Sequence, residues 1–335
     1  MMDPETIIRA ARDESSKLGP RHPACRCPGQ PIVIALMARI PLEDNFNDVI
    51  NKAQRGLKIA DADLAKRAGV SAADLADAKA GKPNDAVLRR LARHLRLSPD
   101  ALEALAHKRW YPEQPLFPRG FAAFNTTYED MTVNSYLIWD TRDKLAAAFD
   151  TGANSQGMID LAHAEGLKVR YIFLTHTHED HVADLARLAA ETKGEVWASE
   201  LEPAPIPGAR TFKESVHFHL GTLAIKTLIT SGHSPGMTTY FVTGLSWPLA
   251  VVGDSIFASS MGGSVEHFAE QYQNNKKKIM PLPRDTVLAC GHGPLTTLAQ
   301  EKDHNPFFAS QHHAVSGEAP SPASAPTAAK PPRKR

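Results

Sequence analysis

The sequence has little of what several common classes of protein need. Its 335 residues include three cysteines, Cys25, Cys27 and Cys290, too few for a disulfide framework and consistent with a reducing compartment. No apolar run approaches the ~18 residues that a membrane-spanning helix needs. The formal net charge is +1, so the whole molecule lacks the excess positive charge typical of nucleic-acid binders. We therefore expect a cytoplasmic protein without membrane contact.

The two ends of the chain differ from the rest in composition. Residues 1–44 show little periodicity and contain several prolines, which predicts a flexible N-terminal extension. Met37 reads like a natural start, so 1–36 is interpreted as part of that extension or as an over-long gene prediction. Residues 314–335 are rich in Pro and Ala and end in basic residues, which predicts a disordered basic tail.

Residues 45–110 are rich in Ala, Leu, Arg and Lys, with apolar positions recurring at spacings of three and four. Gly69, Val70 and Ser71 form a predicted turn, and Ser71 is a predicted N-cap. A short helix, a turn with glycine and a second short helix are typical of helix-turn-helix proteins. The segment therefore predicts a small all-helical domain, with helices at 63–68, 72–80, 87–97 and 99–107.

Residues 111–313 alternate between strand-like and helix-like segments. The order is mixed, with paired strands first, then strand–helix alternation, then strands again. That order predicts an α/β domain of two sheets with helices outside, rather than one doubly wound sheet. The predicted strands are 134–139, 144–149, 169–174, 195–198, 223–229, 238–243, 249–252 and 286–289, and the predicted helices are 155–165, 181–192 and 265–275.

The strongest signal is the run from Thr175 to His181, which places three histidines and two carboxylates directly after a predicted buried strand. His176 and His178, two residues apart on extended backbone, can chelate one ion. Asp180 and His181 follow at a helix entrance, where they can face a second ion. Zinc and iron accept imidazole and carboxylate ligands together.

Four further histidines and aspartates stand beside glycine just beyond a predicted strand. Glycine lets the backbone turn sharply and approach a shared site, and loops at strand ends are where binding sites usually lie. Five such loops with compatible ligand types predict one metal centre. The four residues are Asp150, His233, Asp254 and His292.

These motifs resemble the metallo-β-lactamase superfamily, an αββα sandwich, and within it the glyoxalase II-like (hydroxyacylglutathione hydrolase-like) group. The resemblance covers about 120–310 and rests on the run 176–181 and the later motifs 253–257 and 291–294. It implies a first metal on His176, His178 and His233. The second metal would be held by Asp180, His181 and His292. Asp254 would bridge the two metals, and Asp150 would support the site by hydrogen bonding.

The same resemblance implies a metallo-hydrolase with two divalent ions, zinc above all, with iron or manganese as alternatives. A hydroxide bridging the metals would attack the carbonyl of a glutathione-type thioester, and Asp180 and Asp254 would be catalytic. One departure bears on the substrate. The group often has an arginine after the bridging-aspartate motif, but residues 259–263 contain none.

Residues 61–106 resemble the lambda-repressor-like helix-turn-helix family. Residues 45–110 contain thirteen Lys and Arg against eight Asp and Glu, a balance of +5 that permits phosphate contact. The predicted recognition helix, 72–80, offers Asp74 and Asp77 but no Arg, Asn or Gln for base edges. A packing or dimerisation module is therefore favoured over sequence-specific DNA binding, and a homo-oligomer stays open.

Two alternative functions remain from the sequence. A mononuclear iron persulfide dioxygenase would use His176, His233 and Asp254. The sequence also retains His178, Asp180, His181 and His292, which complete the ligand sets of two metals and therefore favour the hydrolase. The second alternative is a DNA-binding regulator whose sandwich domain is a sensor.

Overall fold

The computed structural model describes residues 39–309. The predicted tail, the hypothesis of a start at Met37 and most of the predicted extension lie outside this range. Residues 39–44, the end of that extension, are held against the molecule instead of being free. Asp44 is buried, forms an ion pair with Lys52 and accepts a hydrogen bond from the Ser260 hydroxyl. The segment directly before the first helix therefore makes fixed contacts with the rest of the described chain.

The four helices predicted over 63–107 are present, and a further helix precedes them. Ser71 caps α3 by accepting a hydrogen bond from the amide of Asp74, and Gly69 ends α2 in the left-handed conformation, at φ +63°. Asp74 is thus engaged in a cap at the start of the predicted recognition helix. The helices are α1 (Phe46–Gly56), α2 (Asp61–Ala68), α3 (Ala72–Lys79), α4 (Asp85–Leu95) and α5 (Pro99–Ala106).

Within residues 39–309, twelve strands form two six-stranded sheets. The first has the order β1-β2-β3-β4-β5-β6 and the second the order β12-β11-β10-β9-β8-β7. The strands are β1 (Phe121–Tyr128), β2 (Met131–Trp139), β3 (Leu145–Phe149), β4 (Lys168–Phe173), β5 (Glu195–Ser199), β6 (Arg210–Phe212), β7 (His217–Leu220), β8 (Leu223–Ile229), β9 (Thr238–Thr243), β10 (Leu249–Gly253), β11 (Val287–Cys290) and β12 (Thr296–Thr297).

Helices cover both outer faces of the paired sheets. They are α6 (Gln156–Ala164), α7 (Glu179–Val182), α8 (Leu185–Thr192), α9 (Phe268–Asn274), which continues into a π-helix (Asn275–Ile279), and α10 (Leu298–His304). The helix predicted over 181–192 is interrupted between α7 and α8. Asp184 lies at this break, and its side chain accepts hydrogen bonds from the Ser155 amide and hydroxyl. None of the described helices is long and apolar enough to span a bilayer.

The core between the sheets is rich in aromatic side chains. Phe149, Phe173 and Tyr240 are fully buried, and their ring centroids lie 5.0 to 5.5 Å apart. Each such side chain contributes about 1.5–3 kcal/mol on burial. Separate apolar clusters lie under α6 and α8 on one outer face and under the π-helix and α10 on the other. The predicted αββα sandwich, preceded by a small helical region, is confirmed.

The helical region packs directly on the sandwich. Its apolar core includes Met261, Phe268 and Phe307, which belong to loops and helices of the sandwich. Gly56, at the end of α1, lies so close to Phe268 that a β-carbon there would sit 2.2 Å from the phenyl ring. The two regions share one core, and this contact fixes α1 beside the loop that follows β10.

Candidate metal centre

The structure brings all eight predicted site residues to one edge of the sandwich. Asp150 follows β3, His233 follows β8, Asp254 follows β10 and His292 follows β11. The run 176–181 follows β4 and leads into α7. The convergence requires close backbone approach: Gly253 has φ +47°, and a β-carbon there would lie 2.6 Å from the Thr175 hydroxyl.

His176, His178 and His233 form the first ligand group. The Nε2 atoms of His176 and His233 each lie 3.0 Å from Nδ1 of His178. His176 is fully buried, whereas the side chain of His233 is 14% exposed. Three imidazole nitrogens therefore face one point, with His178 the most exposed of the three residues and His176 the least.

Asp180, His181 and His292 form the second ligand group. Nε2 of His181 lies 3.4 Å, and Nε2 of His292 3.3 Å, from Oδ2 of Asp180. The far nitrogen of His292, Nδ1, lies 2.7 Å from the carbonyl oxygen of Thr132. That contact fixes the ring so that Nε2 faces the group.

Asp254 lies between the two groups. Its carboxylate oxygens are 3.4 Å from Nε2 of His181, 3.3 Å from Nε2 of His233 and 3.5 Å from Nε2 of His292. It therefore reaches both groups at once.

Two buried polar atoms at the centre make no hydrogen bond within residues 39–309. They are Nε2 of His181 and Oδ1 of Asp254. Buried polar atoms normally have partners, so an exception needs a reason. A divalent cation between the two groups would satisfy both atoms, and imidazole with carboxylate is a donor set that zinc and iron accept. The residues present therefore fit the metals that the sequence predicted.

Asp150 supports the centre from behind. One of its oxygens accepts a hydrogen bond from the Thr175 amide, and the other accepts from the Thr175 hydroxyl. The latter oxygen also lies 2.9 Å from Nδ1 of His181. The carboxylate thus orients His181 and anchors the start of the histidine run. Its backbone has φ +54°, an uncommon conformation for a residue other than glycine.

The imidazoles of the two groups differ in proton affinity. Burial lowers the pKa of His176 and His178 below the usual histidine value. Burial also opposes charge on His181, but Asp150 and Asp254 outweigh it and raise its pKa to about 10. Burial is likewise outweighed at His292, where Asp254 and Asp180 raise the pKa to about 11. Carboxylates thus dominate the second group.

The sequence did not identify Glu202. This buried carboxylate accepts hydrogen bonds from the amide and hydroxyl of Thr177, at 3.0 and 2.8 Å. It also accepts from the Ser234 hydroxyl and the Gly236 amide, both at 2.9 Å. It therefore ties the loop of His176 and His178 to the loop of His233. Glu202 lies just beyond the end of β5, the position that identified the predicted ligands.

Glu43 also lies beside the centre, although the sequence placed it in the flexible extension. Burial raises the pKa of its carboxyl group, while His292 opposes that shift. The backbone amide of Glu43 packs against Gly293, where a β-carbon would lie 3.2 Å away. The segment before α1 therefore forms part of the wall around the second group.

Comparison with known proteins agrees with this fold. Residues 128–292 match the model of the metallo-beta-lactamase superfamily. The match agrees with the αββα architecture, the metallo-β-lactamase fold. The matched segment begins after the helical region, so the match does not test the helix-turn-helix resemblance. That this region serves in packing or dimerisation rather than in DNA binding stays a prediction.

The two-sheet part of the chain is similar to proteins named as hydrolases. A hydroxyacylglutathione hydrolase of Bartonella henselae is 34% identical over 47% of this chain and 61% of its own length. A probable metallo-hydrolase of Bacillus subtilis, YqgX, is 26% identical over 52% of this chain and 92% of its own length. The alignment therefore spans only about three-fifths of that hydroxyacylglutathione hydrolase.

A crystal structure of a metallo-beta-lactamase from Staphylococcus aureus shares the fold. It superimposes with a TM-score of 0.51 and 21% identity, covering 61% of this chain and 70% of that one. At this identity the likeness concerns the fold alone.

Proposed function

We propose that this protein is a dinuclear metal-dependent hydrolase that acts on a glutathione-type thioester. The observation that carries the proposal is the position of Asp254 between two ligand groups, His176, His178 and His233 on one side and Asp180, His181 and His292 on the other. A mononuclear centre needs only one such group. The similarity to a hydroxyacylglutathione hydrolase supports the thioester as substrate.

The bound ions, for which zinc is the first candidate, would act as Lewis acids that make water nucleophilic near neutral pH. The chain's own residues prepare the site for this chemistry. Asp150 and the Thr132 carbonyl hold His181 and His292 with Nε2 inwards, so the ligand geometry exists before substrate arrives. Asp180 and Asp254 face the site, and the neighbouring histidines keep the pKa of both carboxyl groups below the usual value, so both would remain ionised as metal ligands.

No cysteine of the described chain is suited to covalent catalysis. Cys290 is fully buried, and burial raises the pKa of its thiol well above the usual value. A thiol nucleophile needs the opposite shift, towards thiolate. The leaving group, in contrast, is a thiol of ordinary acidity that departs as thiolate with little help. Hydrolysis by activated water therefore needs no side-chain nucleophile.

Metal content and turnover test the proposal together. We expect the purified protein to hold two divalent ions per chain by mass spectrometry and to hydrolyse S-lactoylglutathione. Asp254→Ala and His181→Ala should each lose at least one ion and most activity. Asp160→Ala is the matched control, because Asp160 is an exposed carboxylate on α6 that accepts a hydrogen bond from Gln156 and lies outside both ligand groups.

Two results would contradict the proposal. Unchanged turnover in both Asp254→Ala and His181→Ala would remove the centre from the reaction. One iron per chain, with oxygen consumption on glutathione persulfide, would favour the dioxygenase alternative instead.

A further inference from the structure

A cavity of about 380 Å³ lies beside His233, between helix α1 and the loop after β10. Helix α1 contributes Lys52 and Arg55, the β8–β9 loop contributes Gly232 and His233, and the far wall includes Gly263 and Ser264. Its volume falls within the usual range of small-molecule sites. Because His233 belongs to the first ligand group, the cavity lies directly beside the candidate metal centre.

Helix α1 is fixed to this cavity by specific contacts. The ammonium of Lys52 donates to the Met261 carbonyl oxygen at 3.0 Å and pairs with Asp44, which also binds the Ser260 hydroxyl. Gly56 permits the close contact with Phe268 described above. The position of α1 relative to the metal centre is therefore defined by the fold.

Arg55 is the charged group of the cavity wall that remains available. Lys52 is neutralised by Asp44, and Glu266 pairs with Lys58 at 3.7 Å. Nε of Arg55 donates to the Asn51 carbonyl oxygen at 3.3 Å, and its two terminal nitrogens have no partner within residues 39–309. The guanidinium can thus bind a carboxylate by donating two parallel hydrogen bonds to it.

We infer that Arg55 binds a carboxylate of the substrate, so that the helical region forms the substrate-binding wall of the enzyme. This inference rests on the proposed function, because a glutathione-type thioester carries two carboxylates at a distance from its acyl group. The loop 259–263 supplies no charged side chain to this cavity. A carboxylate on Arg55 would leave the rest of the ligand extending past His233 towards the metals. Arg55 is a specificity residue and takes no part in the chemical step.

Binding of S-methylglutathione, a thioether that cannot be hydrolysed, tests the inference by calorimetry on the metal-loaded full chain. We expect Arg55→Met to weaken binding about tenfold or more, because a charge-assisted pair is lost. Arg55→Lys should fall between Arg55→Met and the unmodified protein, because lysine keeps the charge but not the two-pronged geometry. Arg67→Met is the matched control, since Arg67 is an exposed arginine on α2 outside the cavity.

The diethyl ester of the same probe, which lacks both free carboxylates, should bind equally to the unmodified protein and to Arg55→Met. In turnover of S-lactoylglutathione, Arg55→Met should raise KM by a similar factor and leave kcat and metal content unchanged. Circular dichroism checks that the variants fold.

The outcomes separate this inference from the proposed function. Equal binding of the acid probe by Arg55→Met and the unmodified protein, or no binding by the unmodified protein at millimolar concentration, would overturn the role of Arg55. Weakened binding in Arg55→Met, in a chain that does not hydrolyse S-lactoylglutathione, would support Arg55 as a carboxylate site and reject the hydrolase.

Discussion

The histidines of the two candidate ligand groups differ in their affinity for protons. His176 and His178 of the first group have lowered pKa values, because burial disfavours their charged forms. His181 and His292 of the second group have raised pKa values of about 10 and 11. The sequence spacing of the histidines gives no hint of this difference.

The difference follows from where the carboxylates lie. Three aspartates surround the second group, namely Asp150, Asp180 and Asp254. The first group consists of imidazoles alone, and Asp254 approaches it at both His176 and His233. Opposite charge favours the protonated imidazole, whereas burial among neutral groups disfavours it.

The comparison indicates that the two groups attract cations in different ways. The second group holds an excess of negative charge that either protons or a metal ion must balance. The first group offers imidazole nitrogens, and the lowered pKa values of His176 and His178 disfavour their protonation, so this group depends on its geometry. We therefore expect the second group to fill first with metal and the first group to exchange its ion more readily.

The largest expected effect is on the metal-free protein at alkaline pH. In the folded state His181 and His292 have pKa values above the unfolded value of about 6.5. Their stabilisation is present in full below that pH and is lost as pH rises through the folded values. The free energy of unfolding should fall by about 1.4 kcal/mol per pH unit for each imidazole that stays protonated.

Urea unfolding in the presence of EDTA at several values from pH 7 to pH 9 measures this slope. His292→Gln should reduce it, whereas His178→Gln should not, because the pKa of His178 is already lowered. The metal-loaded protein should show a flat profile, since metal has replaced the protons. If His178→Gln abolished the dependence of the free energy of unfolding on pH, the assignment of charge to the two groups would be reversed.

A smaller effect is expected from Asp150→Asn. The carboxylate holds Nδ1 of His181 at 2.9 Å, and losing such a partner typically costs 10- to 100-fold in metal affinity. The ion of the second group should therefore be extracted at lower chelator concentration, while the ion of the first group remains. Chelator titration with metal analysis measures both, with Asp160→Asn as the control. Equal loss of both ions would show that the groups do not act separately.

Much of the site could be predicted because each ligand carries its own local signature. His233, Asp254 and His292 each stand beside glycine at the end of an apolar strand, so their convergence follows from the sheet edge they share. The αββα layers followed from the order of predicted strands and helices. Strand β1 was missed because its centre, Asn125 to Thr127, is polar and lacks alternation.

The groups that orient the ligands could not be predicted from the sequence, because they depend on contacts between distant segments. The Thr132 carbonyl that orients His292 belongs to the backbone and has no side-chain signature. Glu202 is one of many glutamates, and Arg55 is one of several arginines on predicted helices. Each acquires its role from a neighbour far away in the chain, which only the fold determines.

The smallest expected effect is that of Glu202→Gln. Glu202 touches no ligand directly and acts through Thr177, Ser234 and Gly236, at the base of the two loops that carry the first group. Glutamine keeps the size but replaces one acceptor oxygen by a donor, so one backbone amide loses its acceptor, while the hydroxyl on the same side can turn to accept from the new amide group. The affinity for the first ion should fall by less than about tenfold, because only neutral donors are affected.

Glu200→Gln is the control, because Glu200 is exposed and pairs with Lys213 at 4.0 Å. Chelator titration should show the first ion leaving earlier and the second unchanged, the reverse of Asp150→Asn. If both variants release the same ion, the two groups are not supported independently, and the division between them has to be redrawn.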